Sequence, residues 1–216
     1  MEFSNTYCTI YIVRHGETLN NVNAVVQGQT DSKLTEAGID QAKIFGQEFK
    51  NIHLDAVFSS DLGRAMNTAE LIKLNRELAI NTTKLLRERN FGPFEGLPAK
   101  EYVEVNRELL EKLKTLGEKD KAAFKLHPDH ESNDEIAVRM LTFLREAAAA
   151  YAGKTILLVS HGSIMRAFLV HLGVASYDQL PSGNIDNLGH IKLLSDGVDF
   201  FVSELKGIHI KGVITD

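Results

Sequence analysis

The chain has 216 residues, of which 44% are hydrophobic and 25% charged, and carries a formal net charge of −5; this suits one α/β domain that buries roughly 70% of its unfolded surface without a staple. The acidic balance, with pI about 5.9, excludes a broad nucleic-acid or anionic-membrane surface, and Cys8 as the only cysteine excludes a disulfide framework or a cysteine-ligated zinc. Cys8 reads as a small buried hydrophobe; with no leader pattern in "MEFSNTYCTI" and no apolar segment of bilayer length, a cytoplasmic location is expected.

In chain order, "TIYIV" is apolar and β-branched and runs into "RHGETLNN", a strand followed by a loop. "LTEAGIDQAKIFGQEFKN" has apolar residues at helical spacing, with Thr35 as N-cap. "LDAVFSS" reads as a second strand, and "DLGRAMNTAELIKL" as a helix that Asp61 caps. "INTTKLL" reads as a third strand ending in the loop "RERNFGPFEGLP". From residue 98 to about 130 the composition turns charged and helical, which marks a solvated insertion or cap. "NDEIAVRMLTFLREAAAAYAG" is a long amphipathic helix ending at Gly153, "KTILLVS" a buried strand, and "HGSIMRAFLVHLG" a turn and helix. The tail "GHIKLLSDGVDFFVSEL" reads as two strands around "SDG", and these leave open a homodimer built on a sheet edge.

Strands alternating with helices predict a three-layer α/β/α sandwich on a mostly parallel sheet, a single domain over residues 1–216. Such sheets bind ligands beyond the carboxyl ends of their strands. "RHGE", "RERNFG" and "SHG" all fall there, and Arg64 starts the helix after the second strand. Arg14, His15, Arg64 and His161 therefore converge on one edge of an acidic protein. Arginine forks match phosphate oxygens, so the pocket is expected to take a phosphate or a similar anion. No G-x-G-x-x-G follows the first strand, which argues against a dinucleotide enzyme.

"RHGET", "SSDLGRAMNTAE", "LRERNFGPFEG" and "LLVSHG" occur in the order and spacing of the histidine phosphatase superfamily, the phosphoglycerate mutase-like group. The chain resembles that family over about residues 7 to 175. The resemblance implies a phosphoglycerate mutase-like fold in which His15 is the nucleophile and becomes a phosphohistidine. It implies that Arg14, Arg64 and His161 hold the phosphoryl oxygens, that Asn21 completes that pocket, and that Glu88 is the proton donor. Gln27 and Gly28 fall where the family contacts substrate or phosphate, and Gly162 joins the phosphate-binding set. Many relatives carry an arginine two residues before the Gln-Gly pair; Val25 stands there here, one positive group fewer. The chemistry needs neither metal nor other cofactor: a neutral imidazole attacks, fixed cations neutralise the equatorial oxygens, and Glu88 carries a proton to the leaving alkoxide.

Blander readings stand beside these. His161 alone is equally a helix-capping histidine, and Arg64 alone a solvated helix residue. Spacing alone does not choose between Glu88 and Glu95; the resemblance chooses Glu88. Glu17 and Asp61 read as loop and capping residues, Arg89 as a surface-loop arginine, and His127 and His130 as solvated rather than metal-binding. The leading function is a metal-independent phosphatase acting on a small phosphorylated metabolite. A cofactor-dependent phosphoglycerate mutase and a non-catalytic phospho-ligand binder are the alternatives. Mutases of the family commonly carry an adjacent Arg-Arg pair, which this chain lacks, and the intact set of five site residues argues against a binder.

Overall fold

Strand β1 (Cys8–Arg14) has apolar side chains on both faces, and that places it in the interior of a sheet. In the computed structural model, which describes residues 7–212, it has a parallel neighbour on one side and an antiparallel one on the other. The expectation of no leader rests partly on residues 1–6, which lie outside the described residues. The six-stranded sheet has the order β3-β2-β4-β1-β5-β6, with β2 (Ala56–Ser60), β3 (Ile80–Thr83), β4 (Thr155–Ser160), β5 (Ile185–Ser195) and β6 (Phe200–Ile208). β1 to β4 run parallel, while β5 and β6 form the antiparallel tail hairpin.

The period-two alternation of the central strands divides the core. Ile10, Ile12, Ile156 and Leu158 face one layer, where they meet α7 (Asn133–Ala150) and α8 (Gly162–His171). Tyr11, Val13, Leu157 and Val159 face the other, covered by α2 (Glu36–Glu48) and α3 (Gly63–Lys73). The result is the expected three-layer sandwich. Ile136, Met140 and Leu144 of α7 are fully buried, and each such side chain contributes about 1.5–3 kcal/mol. Cys8 is also fully buried, and burial, reinforced by Asp55, pushes its thiol up to about 11. A short α1 (Leu19–Val22) follows the first strand. The charged segment forms α4 (Ala99–Val105), α5 (Arg107–Thr115) and α6 (Glu118–Ala123), after which residues 124–130 are irregular.

Two local readings need correction. The third strand stops at Thr83, whose hydroxyl accepts from Leu85 N and turns the chain into a 3₁₀ turn over Lys84–Leu86. Asp61 does not cap α3: its carboxylate pairs with the Arg87 guanidinium at 2.6 Å. The α3 cap comes instead from Asp31, which accepts from Gly63 N at 2.6 Å and Arg64 N at 3.2 Å. Thr35 does cap α2, accepting from Gly38 N at 2.9 Å. No helix among the described residues is long and apolar enough to cross a membrane.

Candidate active site

His15 leaves β1 at the sheet's carboxyl edge, beside the end of β4, where its backbone N–H donates to Ser160 O at 3.0 Å. The turn behind it is held by backbone contact. Gly16 N donates to Thr68 Oγ1 at 3.0 Å, and a Cβ on Gly16 would stand 2.7 Å from Gly38 O. A Cβ on Gly38 would overlap Glu17 O, so neither position accepts a side chain. Glu17 takes the loop role expected of it, accepting from Thr35 Oγ1 at 2.7 Å.

The His15 ring is only 3% exposed. Its Nδ1 lies 2.8 Å from Gly16 O, and its Nε2 accepts from Arg64 Nε at 3.3 Å. A carbonyl can only accept and a guanidinium can only donate, so both contacts demand the same tautomer, with the proton on Nδ1 and the lone pair on Nε2. Burial first, then the charges of Arg64 and Arg14, hold His15 well below the ordinary imidazole value, so it is neutral near pH 7.

Arg64 is 1% exposed and anchored by Gly28 O and Thr30 O, each at 2.7 Å. Its nearest carboxylate, Asp31, is 3.6 Å away and half exposed. Arg14 reaches Ile185 O through Nη1, while its Nε is buried without a partner. Burial lowers both guanidinium values. Two buried cations held by neutral carbonyls form a site for an anion.

A cavity of about 290 Å³ opens above these groups, lined by Arg14, His15, Arg64, Asn21, Gln27, Gly28, Glu88 and Gly162. Asn21 Oδ1 accepts from Thr18 N and Thr18 Oγ1, leaving its amide NH₂ as the donor for the cavity. Gln27 Oε1 lies 3.0 Å from the same Thr18 hydroxyl, whose single proton it shares with Asn21 Oδ1. Gly28 sits at φ +53° with its carbonyl on Arg64. A Cβ on Gly162 would lie 3.5 Å from Arg14 Nε, so this glycine backs the guanidinium. Glu88 is fixed by Arg89 N on one oxygen, at 2.7 Å, and by Ser163 N at the start of α8 on the other, at 3.1 Å. Glu95, the competing carboxylate, accepts from the N–H groups of Gln29, Thr30 and Phe91 and so locks the loop.

His161 stands beside His15. Its ring centroid is 5.1 Å from that of His15, it is fully buried, and both its nitrogens lack partners among the described residues. It makes no side-chain cap on α8. Burial, then Arg64, His15 and Arg14, lower its value well below 6.5. Arg89 is 8% exposed, not a surface-loop arginine, and His130 is 3% exposed, not solvated. No group of three or more metal-type ligands occurs among the described residues.

Several contributors escape sequence reading. Asn187 Nδ2 donates to His15 O at 2.9 Å, and Leu188 beside it takes φ +59°. Arg139 donates to the carbonyls of Leu85, Arg87 and Glu88 and is itself held by Glu131. Arg166 and Ser163 line the cavity; here a signal existed, since three residues apart on α8 puts both on one helix face.

A family profile described as the histidine phosphatase superfamily (branch 1) matches residues 10–206. A probable phosphoglycerate mutase of Yersinia pestis is 36% identical over 160 residues, covering 74% of this chain and 72% of that protein. The crystal structure of a phosphoglycerate mutase from Bacillus anthracis superposes with a TM-score of 0.83 at 26% identity, covering 96% of each chain. The YhfR protein of Bacillus stearothermophilus does so with a TM-score of 0.79 at 27% identity, covering 96% of this chain and 98% of that one.

Proposed function

Because the chain belongs to the histidine phosphatase superfamily (branch 1), we propose that it is a metal-independent phosphomonoesterase acting on a small phosphorylated metabolite. One observation carries this reading: the His15 tautomer is fixed from both sides, so that Nε2 offers its lone pair to a pocket lined by Arg14 and Arg64.

The substrate phosphoryl group enters between Arg14 and Arg64, and Arg64 Nε turns from His15 Nε2 to a phosphoryl oxygen. His15 Nε2 then attacks phosphorus in line, the P–O bond to the alcohol breaks, and Glu88 gives its proton to the departing oxygen. The phosphorylated ring keeps its proton on Nδ1, and Gly16 O stabilises the positive charge that the ring acquires. In the second half, Glu88 takes a proton from water, the water oxygen attacks phosphorus, and the P–N bond breaks to return neutral His15 and inorganic phosphate. The phosphate dianion also draws the neighbouring His161 toward its protonated form, adding charge when the site is loaded.

A phosphoglycerate mutase is the second reading, favoured by the names of relatives at 36% and 26% identity. Against it, the chain lacks the adjacent Arg-Arg pair that mutases of the family commonly carry. The test is phosphate release from a panel of phosphorylated metabolites in EDTA, for the native protein beside His15→Ala. Release that survives EDTA and disappears in the variant is expected, together with a labelled phosphohistidine. Equal release by both proteins, or phosphoryl exchange between substrates without net release, overturns the hydrolytic reading.

A further inference from the structure

Strand β5 departs from regular geometry near its start. Its pairing with β1 runs from Cys8↔Ser195 to Val13↔His190 and stops there. On the other side, as β5 runs from Ile185 to His190, its partner on β6 moves only from Ile208 to Lys206, so β5 carries its surplus residues as a bulge. Leu188 within the bulge is buried and has φ +59°, a left-handed conformation that is sterically unfavourable for a branched side chain. Gly189 lets the two backbones close on each other, since a Cβ there would stand 2.7 Å from Gly207 O. His209 Nε2, just past the end of β6, lies 2.8 Å from Asp186 Oδ2 and ties the bulge down. Backbone strain of this kind persists only where the surroundings enforce it, and bulges beside active sites re-aim side chains.

The side chain re-aimed here is Asn187. Its Nδ2 donates to His15 O at 2.9 Å and to Asn21 Oδ1 at 3.4 Å. His15 lies past the last β1–β5 pair, and there the carboxamide does what a ladder N–H does further along the strand. The peptide unit between His15 and Gly16 is thereby gripped at both ends, its oxygen by Asn187 and its N–H by Thr68 Oγ1 at 3.0 Å. That unit leads directly to Gly16 O, which holds the imidazole proton on Nδ1. Two residues before Asn187, Ile185 O accepts from Arg14 Nη1. One short segment of β5 therefore touches three groups that line the cavity, Arg14, His15 and Asn21, while Asn187 itself is not on the cavity wall.

We propose that Asn187 is a positioning residue: through the His15–Gly16 peptide and Asn21 it sets the line of Nε2 onto phosphorus, and it acts on the rate of His15 phosphorylation rather than on substrate affinity. The inference rests on the phosphatase reading above. Position 187 has to supply a donor, because His15 O can only accept and Asn21 Oδ1 already accepts from Thr18 N. The direction of Nε2 matters because the P–N bond forms in line with the P–O bond that breaks, and a misplacement of about 1 Å costs on the order of 100-fold.

The test is single-turnover release of nitrophenolate from p-nitrophenyl phosphate with enzyme in excess, which reads the step in which Nε2 bonds to phosphorus and the nitrophenolate leaves. Asn187→Ala is expected to lower the saturating rate constant roughly 10- to 100-fold, with the half-saturating concentration within about threefold of native. Asn187→Asp, of the same size, sets a carboxylate oxygen against two acceptors and should be slower still. Asn187→Gln, which keeps the amide on a longer arm, should lie between Asn187→Ala and the native protein. The rate constant at saturation belongs to the folded molecules alone, so protein lost to misfolding does not imitate the effect, and urea midpoints report any change in stability separately. A saturating rate within about threefold of native in both the alanine and aspartate variants overturns the positioning role, as does a loss confined to the half-saturating concentration. An aspartate variant as fast as the alanine one overturns the need for a donor at this position. Absence of nitrophenolate release and of any labelled His15 in the native protein would instead remove the phosphatase reading itself.

Discussion

Replacing Gly28 by alanine should cost both stability and activity, and the structure says how much and by what route. At φ +53° the left-handed backbone is free to glycine and costs an L-residue roughly 1–2 kcal/mol. The added Cβ would also overlap the Glu95 carboxylate and stand 2.8 Å from its Cγ, so that carboxylate has to leave. Leaving breaks its bonds to Gln29 N, Thr30 N and Phe91 N, of which only the Thr30 bond is exposed. Charge-assisted bonds contribute about 1.5–3 kcal/mol each where water does not replace them. The total for Gly28→Ala is about 4–8 kcal/mol, a large part of the ordinary stability of a domain. Glu95→Ala alone loses the bonds without the backbone strain, and in the double variant the alanine at 28 should add only about 1–2 kcal/mol. Urea unfolding of the four proteins measures this coupling. Because Gly28 O anchors Arg64 Nη2 at 2.7 Å, kcat/KM should fall in Gly28→Ala as well. Additive effects in the cycle, or an alanine variant within about 1 kcal/mol of the native protein, would refute the reasoning.

Glu88→Gln should slow hydrolysis of alkyl phosphates by roughly 10²- to 10⁴-fold but that of p-nitrophenyl phosphate much less, since nitrophenolate leaves without a proton; equal losses would remove Glu88 as the acid. Arg139→Lys cannot span the carbonyls of Leu85, Arg87 and Glu88 that Arg139 now holds, so kcat should drop roughly 10- to 100-fold with the same alkyl-over-aryl signature; an equal loss on both ester types would mean that the residue acts only on stability. By NMR, the His15 ring in the free enzyme should titrate below 6.5, because burial and the Arg64 and Arg14 charges depress it, and orthophosphate should move the midpoint up; a free-enzyme midpoint at or above 6.5 contradicts the assignment. His130, depressed to about 4 by burial and then Arg89, makes native stability fall as pH drops from about 6.5 toward 4, where the unfolded chain binds a proton that the native one refuses. The urea midpoint of His130→Gln should accordingly depend less on pH over that range than the native midpoint does.

The layers and the edge that holds the site were legible because β1 and β4 are apolar on both faces and the charged "RH" and "SH" pairs follow directly. Caps within three residues of their partner, such as Thr35 to Gly38, were legible for the same reason: the interaction lies inside the window that a pattern covers. Asp31 was not, since the N–H groups that it accepts, Gly63 and Arg64, lie on another loop. Asp61 looked like the cap because it stands next to the helix, but Arg87 gives its carboxylate two charge-assisted bonds. Arg89 and His130 looked solvated because their neighbours are polar, while their burial is decided by the segment that folds over them. "INTTKLL" alternates well enough for a strand, and only the Thr83 hydroxyl turning onto Leu85 N ends it early. His161 was brought beside His15 by the shared strand edge, whereas the full burial of its ring depends on side-chain packing that no spacing encodes.

The position of β1 in the middle of the sheet also sets a timetable. Synthesis runs from the N-terminus, so β1, ending at Arg14, is made long before either neighbour, β4 from Thr155 or β5 from Ile185. Until then a strand whose Ile10, Ile12 and Val13 are fully buried in the finished protein has nothing to pair with, a template for other chains emerging nearby. Holdase chaperones should therefore bind the earliest segment of the nascent chain and release it only after β4 has left the ribosome. His15 belongs to that waiting segment, and it receives its backbone partner, Ser160 O, only when the sheet closes.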